Sequence, residues 1–454
     1  MVVRSVNPAT GEEVERFEEF TAKEIDVRLA RADDAFHRWR RTSFAERAER
    51  MHAVAEVFRR HKRAYGETMA QEMGKPIRDG VAEAEKCALA FDFYADHAAT
   101  FLGEEAIATE ATRSFVRYDP LGPVLAVMPW NFPFWQVSRF AAPTLMAGNV
   151  GVLKHASNVT RCALDIEAAF AEAGFPEGVF QTLIVSGANV APVVRDPRVK
   201  AISLTGSEKA GADVAQVAGS VVKKVVLELG GSDPFVVLRD ADLDEAAKNA
   251  ATARCVNSGQ SCIAAKRFIV EAPVYDAFVE MFAHHMDRLK VGDPMKDETE
   301  VGPIARADLR DDLHRQVTES VAKGARLRIG GRSMAGPGAF YYPTILFDVR
   351  PGMAAYDEEV FGPVAAVIRA TDESDAVRIA NDTRYGLGAS VWTKDAERGA
   401  RLAAEIDAGM VFVNRRVASD PRLPFGGVKW SGFGRELGPH GIREFVNAKT
   451  VVVG

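Results

Sequence analysis

Cys262 closes the run Asn257-Ser258-Gly259-Gln260-Ser261-Cys262, and upstream of it lies Glu228-Leu229-Gly230-Gly231. A thiol and a carboxylate are the two parts needed to form a thioester and then hydrolyse it, the sulfur as nucleophile and the carboxylate as the base that activates water. The Gln260-Ser261-Cys262 loop offers backbone amides close to the sulfur, an arrangement expected to favour the thiolate. Two glycines after Glu228 let another segment or a ligand approach the backbone closely. A third run, Pro129-Trp130-Asn131-Phe132-Pro133, holds an amide donor in a turn framed by two prolines. Together with the Cys262 backbone N–H, the Asn131 amide would stabilise an oxyanion on the attacked carbon. The three runs point to oxidation of an aldehyde to an acid.

The other cysteines, Cys87, Cys162 and Cys255, read as small buried hydrophobes. Four cysteines are too few and too scattered for a disulfide framework, and no CxxC pair suits zinc, so no metal is expected and a reducing, cytoplasmic setting fits. Net charge is −6, with Lys+Arg 57 against Asp+Glu 63 well mixed along the chain, which argues against a nucleic-acid partner. The N-terminus carries Arg4, Glu12 and Glu13 without an apolar stretch. The longest apolar run, Phe140 to Leu153, is interrupted by Pro143 and by glycines, so neither a signal peptide nor a membrane span is expected.

At 454 residues and 47% hydrophobic content, the chain exceeds what one core usually supports, and two or three domains are expected. Residues 22–105 read as successive amphipathic helices, with Gly74-Lys75-Pro76 as a break. From Val124 onward the period changes: short apolar runs such as Val124 to Met128, Val150 to Leu153 and Ala201 to Leu204 alternate with helical stretches such as Ala163 to Ala173. Continuous apolar strands separated by helices indicate a parallel sheet covered on both faces. A second alternation follows Glu228, with Pro234 to Leu238, Arg267 to Val270 and Val364 to Ile368 as strands of a second α/β unit.

The glycine fingerprint G-x-G-x-x-G of an ordinary dinucleotide fold is absent. Its nearest counterpart is the strand Ala201-Ile202-Ser203-Leu204, which runs through Thr205-Gly206-Ser207 into a helix. That helix N-terminus could receive a pyrophosphate, with Ser207 as a hydroxyl donor, although a strand-Gly-Ser-helix turn is also a common structural device.

The runs carrying Asn131, Glu228 and Cys262, in that order, resemble the aldehyde dehydrogenase superfamily. Matching segments extend from Asn7-Pro8-Ala9-Thr10-Gly11 to Pro424-Phe425-Gly426-Gly427 and Ser431-Gly432. Leu153-Lys154-His155-Ala156-Ser157, Glu228 to Phe235 and Cys262-Ile263-Ala264-Ala265-Lys266-Arg267 resemble its succinate-semialdehyde dehydrogenase branch. The resemblance implies an α/β fold of two parallel-sheet domains plus a small β oligomerisation element. The cofactor-binding domain would comprise residues 1–108 and 124–228, the catalytic domain 229–430, and the oligomerisation element 109–123 and 431–454. Thr450-Val451-Val452-Val453 would extend a neighbouring subunit's sheet in a homodimer or homotetramer, covering an open apolar edge.

The same resemblance implies cofactor contacts. Lys154 would hold the adenosine ribose, Gly206 and Ser207 would lie beside the phosphates, Glu359 with Phe361 would hold the nicotinamide ribose, and Trp130 and Gly230 would complete the surface. Relatives that prefer NAD tend to carry a glutamate at the position of Ser157, where its charge repels a 2′-phosphate. A serine removes that repulsion and adds a donor beside the Lys154 cation, so NADP is the expected cofactor and NAD the alternative. Glu228 argues for hydrolysis over acyl transfer to coenzyme A. Ala264 stands where some relatives carry a second cysteine that locks the loop as a disulfide.

A substrate ending in a carboxylate needs a cation away from the sulfur. Arg139, four residues after Trp135, would share a helix face with it and is the sequence's candidate. The opposite wall would come from Asn414-Arg415-Arg416-Val417-Ala418-Ser419-Asp420, with Ser419 as a donor to the carboxylate. Arg415 and Arg416 depart from the small or apolar residues expected there and leave chain length open. The expected activity is NAD(P)-dependent oxidation of succinate semialdehyde or a close ω-carboxy aldehyde. Alternatives are a dehydrogenase of uncharged aldehydes, a non-catalytic relative, or a cysteine hydrolase, the last disfavoured because none of the nine histidines sits in a Cys/His signature.

Overall fold

Three helices build the N-terminal part of the chain: α1 (Ala22–Trp39), α2 (Phe44–Met73) and α3 (Ile77–Phe101), in a computed structural model that describes residues 2–454. Helices α1 and α2 begin with capping boxes, Thr21 with Glu24 and Ser43 with Glu46, in which each partner satisfies a backbone donor of the other. Gly74 ends α2 at φ 76°, the left-handed conformation that glycine adopts without a Cβ penalty.

The first sheet has six strands in the order Gly432–Phe433, Lys224–Glu228, Ala201–Thr205, Pro123–Met128, Val150–His155, Phe180–Thr182. Only Gly432–Phe433 is antiparallel to its neighbour. Strand Val150–His155 is buried at every position, the pattern of a strand covered on both faces. A second, seven-stranded sheet runs Arg326–Ile329, Thr344–Phe347, Val364–Ala370, Arg267–Glu271, Pro234–Val237, Gly388–Trp392, Met410–Val413, parallel apart from its first strand. The α/β architecture with two largely parallel sheets is the one the alternating apolar runs predicted.

A small antiparallel sheet joins Val446–Val453 to Arg113–Pro120 and Glu105–Ala106. The C-terminal segment serves two sheets. Gly432 lies opposite Glu228 at the edge of the first, and only from Val446 does the chain enter the small one. Pro143, which interrupts the apolar run Phe140 to Leu153, lies inside helix α4 (Trp135–Met146). All twelve residues of that helix are buried, so tertiary packing outweighs the lost backbone donor. Among the described residues, no helix is long and apolar enough to cross a membrane.

Candidate active site

The loop leading to Cys262 is conformationally strained. Asn257 (φ 51°), Ser258 (φ 56°) and Gly259 (φ 76°) are consecutive left-handed residues, each of the first two costing energy that the surroundings must repay. They are clamped. Ser258 Oγ accepts from Gly302 N at 2.9 Å, Gln260 Oε1 accepts from Ala305 N at 2.8 Å, and Arg254 Nη2 donates to Gly259 O at 2.6 Å. Gly259 is required for space as well, since a Cβ there would lie 2.2 Å from the Gly362 carbonyl carbon. Lys266 Nζ gathers the carbonyl oxygens of Ser261, Cys262 and Ala264 at 3.0, 2.7 and 3.1 Å, holding the loop from below the nucleophile.

Asn131 is tied to the same loop. Its Nδ2 donates to Gln260 O at 3.0 Å, its Oδ1 accepts from Gln136 Nε2 at 3.1 Å, and its backbone carbonyl accepts from Asn257 Nδ2 at 2.7 Å. The turn that follows is anchored by His155, whose Nε2 lies 2.9 Å from Pro133 O. Burial pushes His155 down to about 4, so the ring is neutral. Glu83 of α3 accepts from the backbone N–H groups of Phe134 and Trp135 at 3.0 and 2.9 Å, placing a carboxylate at the N-terminus of α4. Lys75 neutralises it in a buried ion pair and lies 3.9 Å from the Phe132 ring centroid.

Cys262 opens into a cavity of about 190 Å³ whose walls include Phe132, Trp135, Arg139, Arg416, Ser419 and Phe425. Burial pushes the Cys262 thiol up to about 12, while Arg139 and Lys266 pull it down more weakly. That direction is opposite to the thiolate expected from the loop amides, because desolvation disfavours the charged form more than nearby dipoles favour it. The other three cysteines are buried outright.

Glu228 ends strand Lys224–Glu228, is buried, and has no hydrogen-bond partner for either carboxylate oxygen. It does not line the Cys262 cavity; its Oε1 lies 2.7 Å from where a Cβ on Gly426 would be. Burial holds its pKa well above the ordinary carboxylate range, the Glu436 charge raises it further, and Arg139 and Arg435 oppose. The glycines after Glu228 admit parts of this chain. A Cβ on Gly230 would lie 2.6 Å from Glu359 Oε2, and one on Gly231 would lie 2.8 Å from Cys262 O.

Around Lys154 several polar groups stand without partners among the described residues. Lys154 is buried in strand Val150–His155, and among the described residues its ammonium has neither a hydrogen bond nor an ion pair. Burial lowers its pKa, with Glu19 opposing. Ser157 beyond it is exposed, and the neighbouring Asn158 Nδ2 is buried without a partner. An unpaired cation, an unpartnered amide and a free hydroxyl fit an anionic group such as a ribose phosphate. Ser207 caps helix Glu208–Ser220 by accepting from Ala210 N at 3.3 Å, and Gly206 N donates to Glu228 O at 2.9 Å. Glu359 Oε1 accepts from Gly231 N at 3.0 Å and pairs with Lys266 at 3.4 Å, so one carboxylate connects the diglycine to the nucleophile loop. Phe361 meets Trp130 edge to face, centroids 5.7 Å apart.

Arg139 projects from α4 but is not an open cation. Its Nε is ion-paired with buried Glu436, its Nη2 lies 3.4 Å from Thr205 Oγ1, and its guanidinium stacks 4.4 Å from the Phe425 centroid. Ser419 is also engaged, accepting from Lys86 Nζ at 2.6 Å. Trp135 lies beneath that lysine, 4.2 Å from ring centroid to Nζ. Arg415 and Arg416 are exposed, and Arg416 alone of the two reaches the cavity. Sequence reasoning missed Lys86, Lys266 and Glu436 as contributors to the site. Lys86 had no local signal, being one lysine in an amphipathic helix.

The chain belongs to the aldehyde dehydrogenase family, whose pattern it matches over residues 1–451. It is similar to succinate-semialdehyde dehydrogenase [NADP(+)] 1 of Mycobacterium ulcerans, at 52% identity over 100% of both chains. Its similarity to the Mycobacterium tuberculosis protein of the same name is also 52%, over 99% of each chain. Among solved structures it resembles the succinic semialdehyde dehydrogenase from Streptococcus pyogenes in complex with NADP+, with a TM-score of 0.97 at 38% identity over 99% of each chain.

Proposed function

We propose that this protein oxidises succinate semialdehyde, or a close ω-carboxy aldehyde, to the acid with NADP as the cofactor. The observation that carries the reading is the single cavity in which the Cys262 sulfur, tied through its loop to the Asn131 amide, faces a wall bearing Lys86, Arg139 and Ser419. Similarity over the whole length to enzymes named for that substrate and cofactor supports it.

The Cys262 thiol gives its proton to water in the cavity, and the sulfur then attacks the aldehyde carbon as the carbonyl π pair moves onto oxygen. The Asn131 side-chain amide and the Cys262 N–H stabilise the oxyanion, donors of a kind typically worth about 3 kcal/mol each. NADP, when bound, supplies the hydride acceptor. Lys154 and Ser157 would hold its 2′-phosphate, Gly206 and Ser207 its diphosphate, and Glu359, Phe361, Trp130 and Gly230 its nicotinamide end. Glu228, swung from its place against Gly426, removes a proton from the water that hydrolyses the Cys262 thioester. Burial raises its pKa well above the ordinary carboxylate range, which makes its ionised form a stronger base than an exposed carboxylate.

We assign the small three-stranded sheet to pairing with a second copy of the chain, since its edge exposes Val452 and Val453. The activity is tested by steady-state kinetics on a panel of carboxylated and uncharged aldehydes with NADP and NAD. The expected result is the highest kcat/KM for succinate semialdehyde with NADP; equal values for butanal would overturn the substrate assignment.

A further inference from the structure

Resting on the proposed reading of Cys262 as the nucleophile, we infer that Lys266 is the positioning residue of the oxyanion site: its grip on the loop carbonyls turns the Cys262 N–H towards the reacting carbon. Three observations carry it. First, Lys266 Nζ reaches Ser261 O at 3.0 Å, Cys262 O at 2.7 Å and Ala264 O at 3.1 Å. An ammonium has three N–H donors, so these carbonyls use all of them, and a neutral amine could not hold the same set.

Second, the direction of the Cys262 N–H follows from that grip. The Ser261–Cys262 peptide is trans, so its carbonyl and its N–H point to opposite sides of the loop. Ser261 O is fixed on the Lys266 side, where it also accepts from Ala264 N at 3.2 Å. The Cys262 N–H therefore faces away from the lysine, and among the described residues it has no acceptor. Ser261, Cys262 and Ile263 line the cavity, whereas Lys266 does not. Asn131, the other proposed oxyanion donor, is tied to the preceding carbonyl, Gln260 O.

Third, the lysine has a rigid support and a counter-charge. Its own N–H donates to Asp233 O at 3.0 Å and its carbonyl accepts from Ala366 N at 3.0 Å, which fixes it at the head of strand Arg267–Glu271, between the two neighbouring strands. Its side chain is buried, and Glu359 Oε1 at 3.4 Å supplies the opposite charge. Burial lowers the Lys266 pKa, and Glu359 and Asp233 are the principal charges opposing it.

The test separates two reactions of the same thiolate at saturating NADP, to which neither reagent has a hydride to give. Acylation by p-nitrophenyl acetate passes through an oxyanion: the sulfur bonds to the ester carbon, the carbonyl pair moves onto oxygen, and its return expels p-nitrophenolate and leaves a thioester. Alkylation by iodoacetamide displaces iodide and forms no oxyanion. Acylation is read from the nitrophenolate burst and alkylation of Cys262 from peptide mapping. The ratio of the two rate constants cancels the thiolate fraction and any loosening of the loop that slows both.

Lys266→Met is expected to lower that ratio roughly ten- to a hundredfold, part of what a lost oxyanion donor costs. Lys266→Gln, uncharged and one bond shorter, gives the same comparison if the methionine variant does not fold. Lys266→Arg keeps the charge and the donors and should retain most of the ratio. An unchanged ratio in the neutral variants, or an equal loss in Lys266→Arg, overturns the inference and leaves the functional reading intact. A nitrophenolate burst that persists in Cys262→Ala overturns Cys262 as the nucleophile, and the inference with it.

Discussion

Glu228 and Glu436 are buried beside each other as a pair of carboxylates, and only Glu436 has a cation, Arg139, bound directly to it. The Glu228 oxygens have no hydrogen-bond donor, so its ionised form is penalised twice, by burial first and by Glu436 second. A carboxylate kept so poorly solvated costs the fold stability, a cost that its proposed role as base would account for.

Glu228→Gln keeps the shape and removes the charge, so its unfolding temperature is expected to rise above wild type. The sign follows from linkage. The native pKa is raised, so as pH climbs above the ordinary carboxylate value of about 4.3 the unfolded chain releases its proton before the native one, and wild-type stability falls. The advantage of the variant should therefore widen with pH until the native carboxyl ionises. Thermal unfolding at several pH values checks this; a gap that shrinks as pH rises would contradict it. In turnover the same variant should give one burst of reduced cofactor followed by slow release, since acylation survives and hydrolysis does not.

Cys262→Ala should abolish oxidation while NADP binding, followed by fluorescence titration, stays close to wild type. In the wild type the elevated thiol pKa predicts that iodoacetamide labels Cys262 about tenfold faster for each pH unit between 7 and 10, because only the thiolate reacts. Peptide mapping isolates this site from the three buried cysteines. A plateau near pH 8 would show that the free enzyme holds a thiolate after all.

Asn131→Ala removes the amide that reaches Gln260 O and, by the proposed role, the oxyanion. The expected loss is about 10²- to 10³-fold in kcat, with the cofactor KM little changed. A loss smaller than about threefold would assign the oxyanion to other donors.

Ser157→Glu places a carboxylate beside the unpaired Lys154 ammonium. It should shift the ratio of kcat/KM from NADP towards NAD by about ten- to a hundredfold, the worth of a charge-assisted hydrogen bond. An unmoved ratio, or a wild type that already prefers NAD, would remove Ser157 from cofactor discrimination.

Much of the architecture was legible because its signals are local. Gly74-Lys75-Pro76 marks the break between helices that end at Met73 and begin at Ile77, and the apolar run at Val150 to Leu153 reads as a strand covered on both faces, which it is. The residue types at 131, 228 and 262 announced acyl chemistry for the same reason: each motif is contained in one short run.

What the sequence by itself determined is the alternation of elements and the identity of the groups that could do chemistry. The tertiary structure decided their electrostatic states and partners. Lys86 meets Ser419 across 333 positions of chain, and Arg139 meets Glu436 only after Gly432 has returned to the edge of the first sheet beside Glu228. Desolvation in the fold drives the Cys262 and Glu228 pKa values upward, against the thiolate that the loop amides had led one to expect. The reason is physical: a helix cap or a strand period depends on neighbours in the chain, whereas desolvation and charge pairing depend on whatever the fold places within a few ångströms.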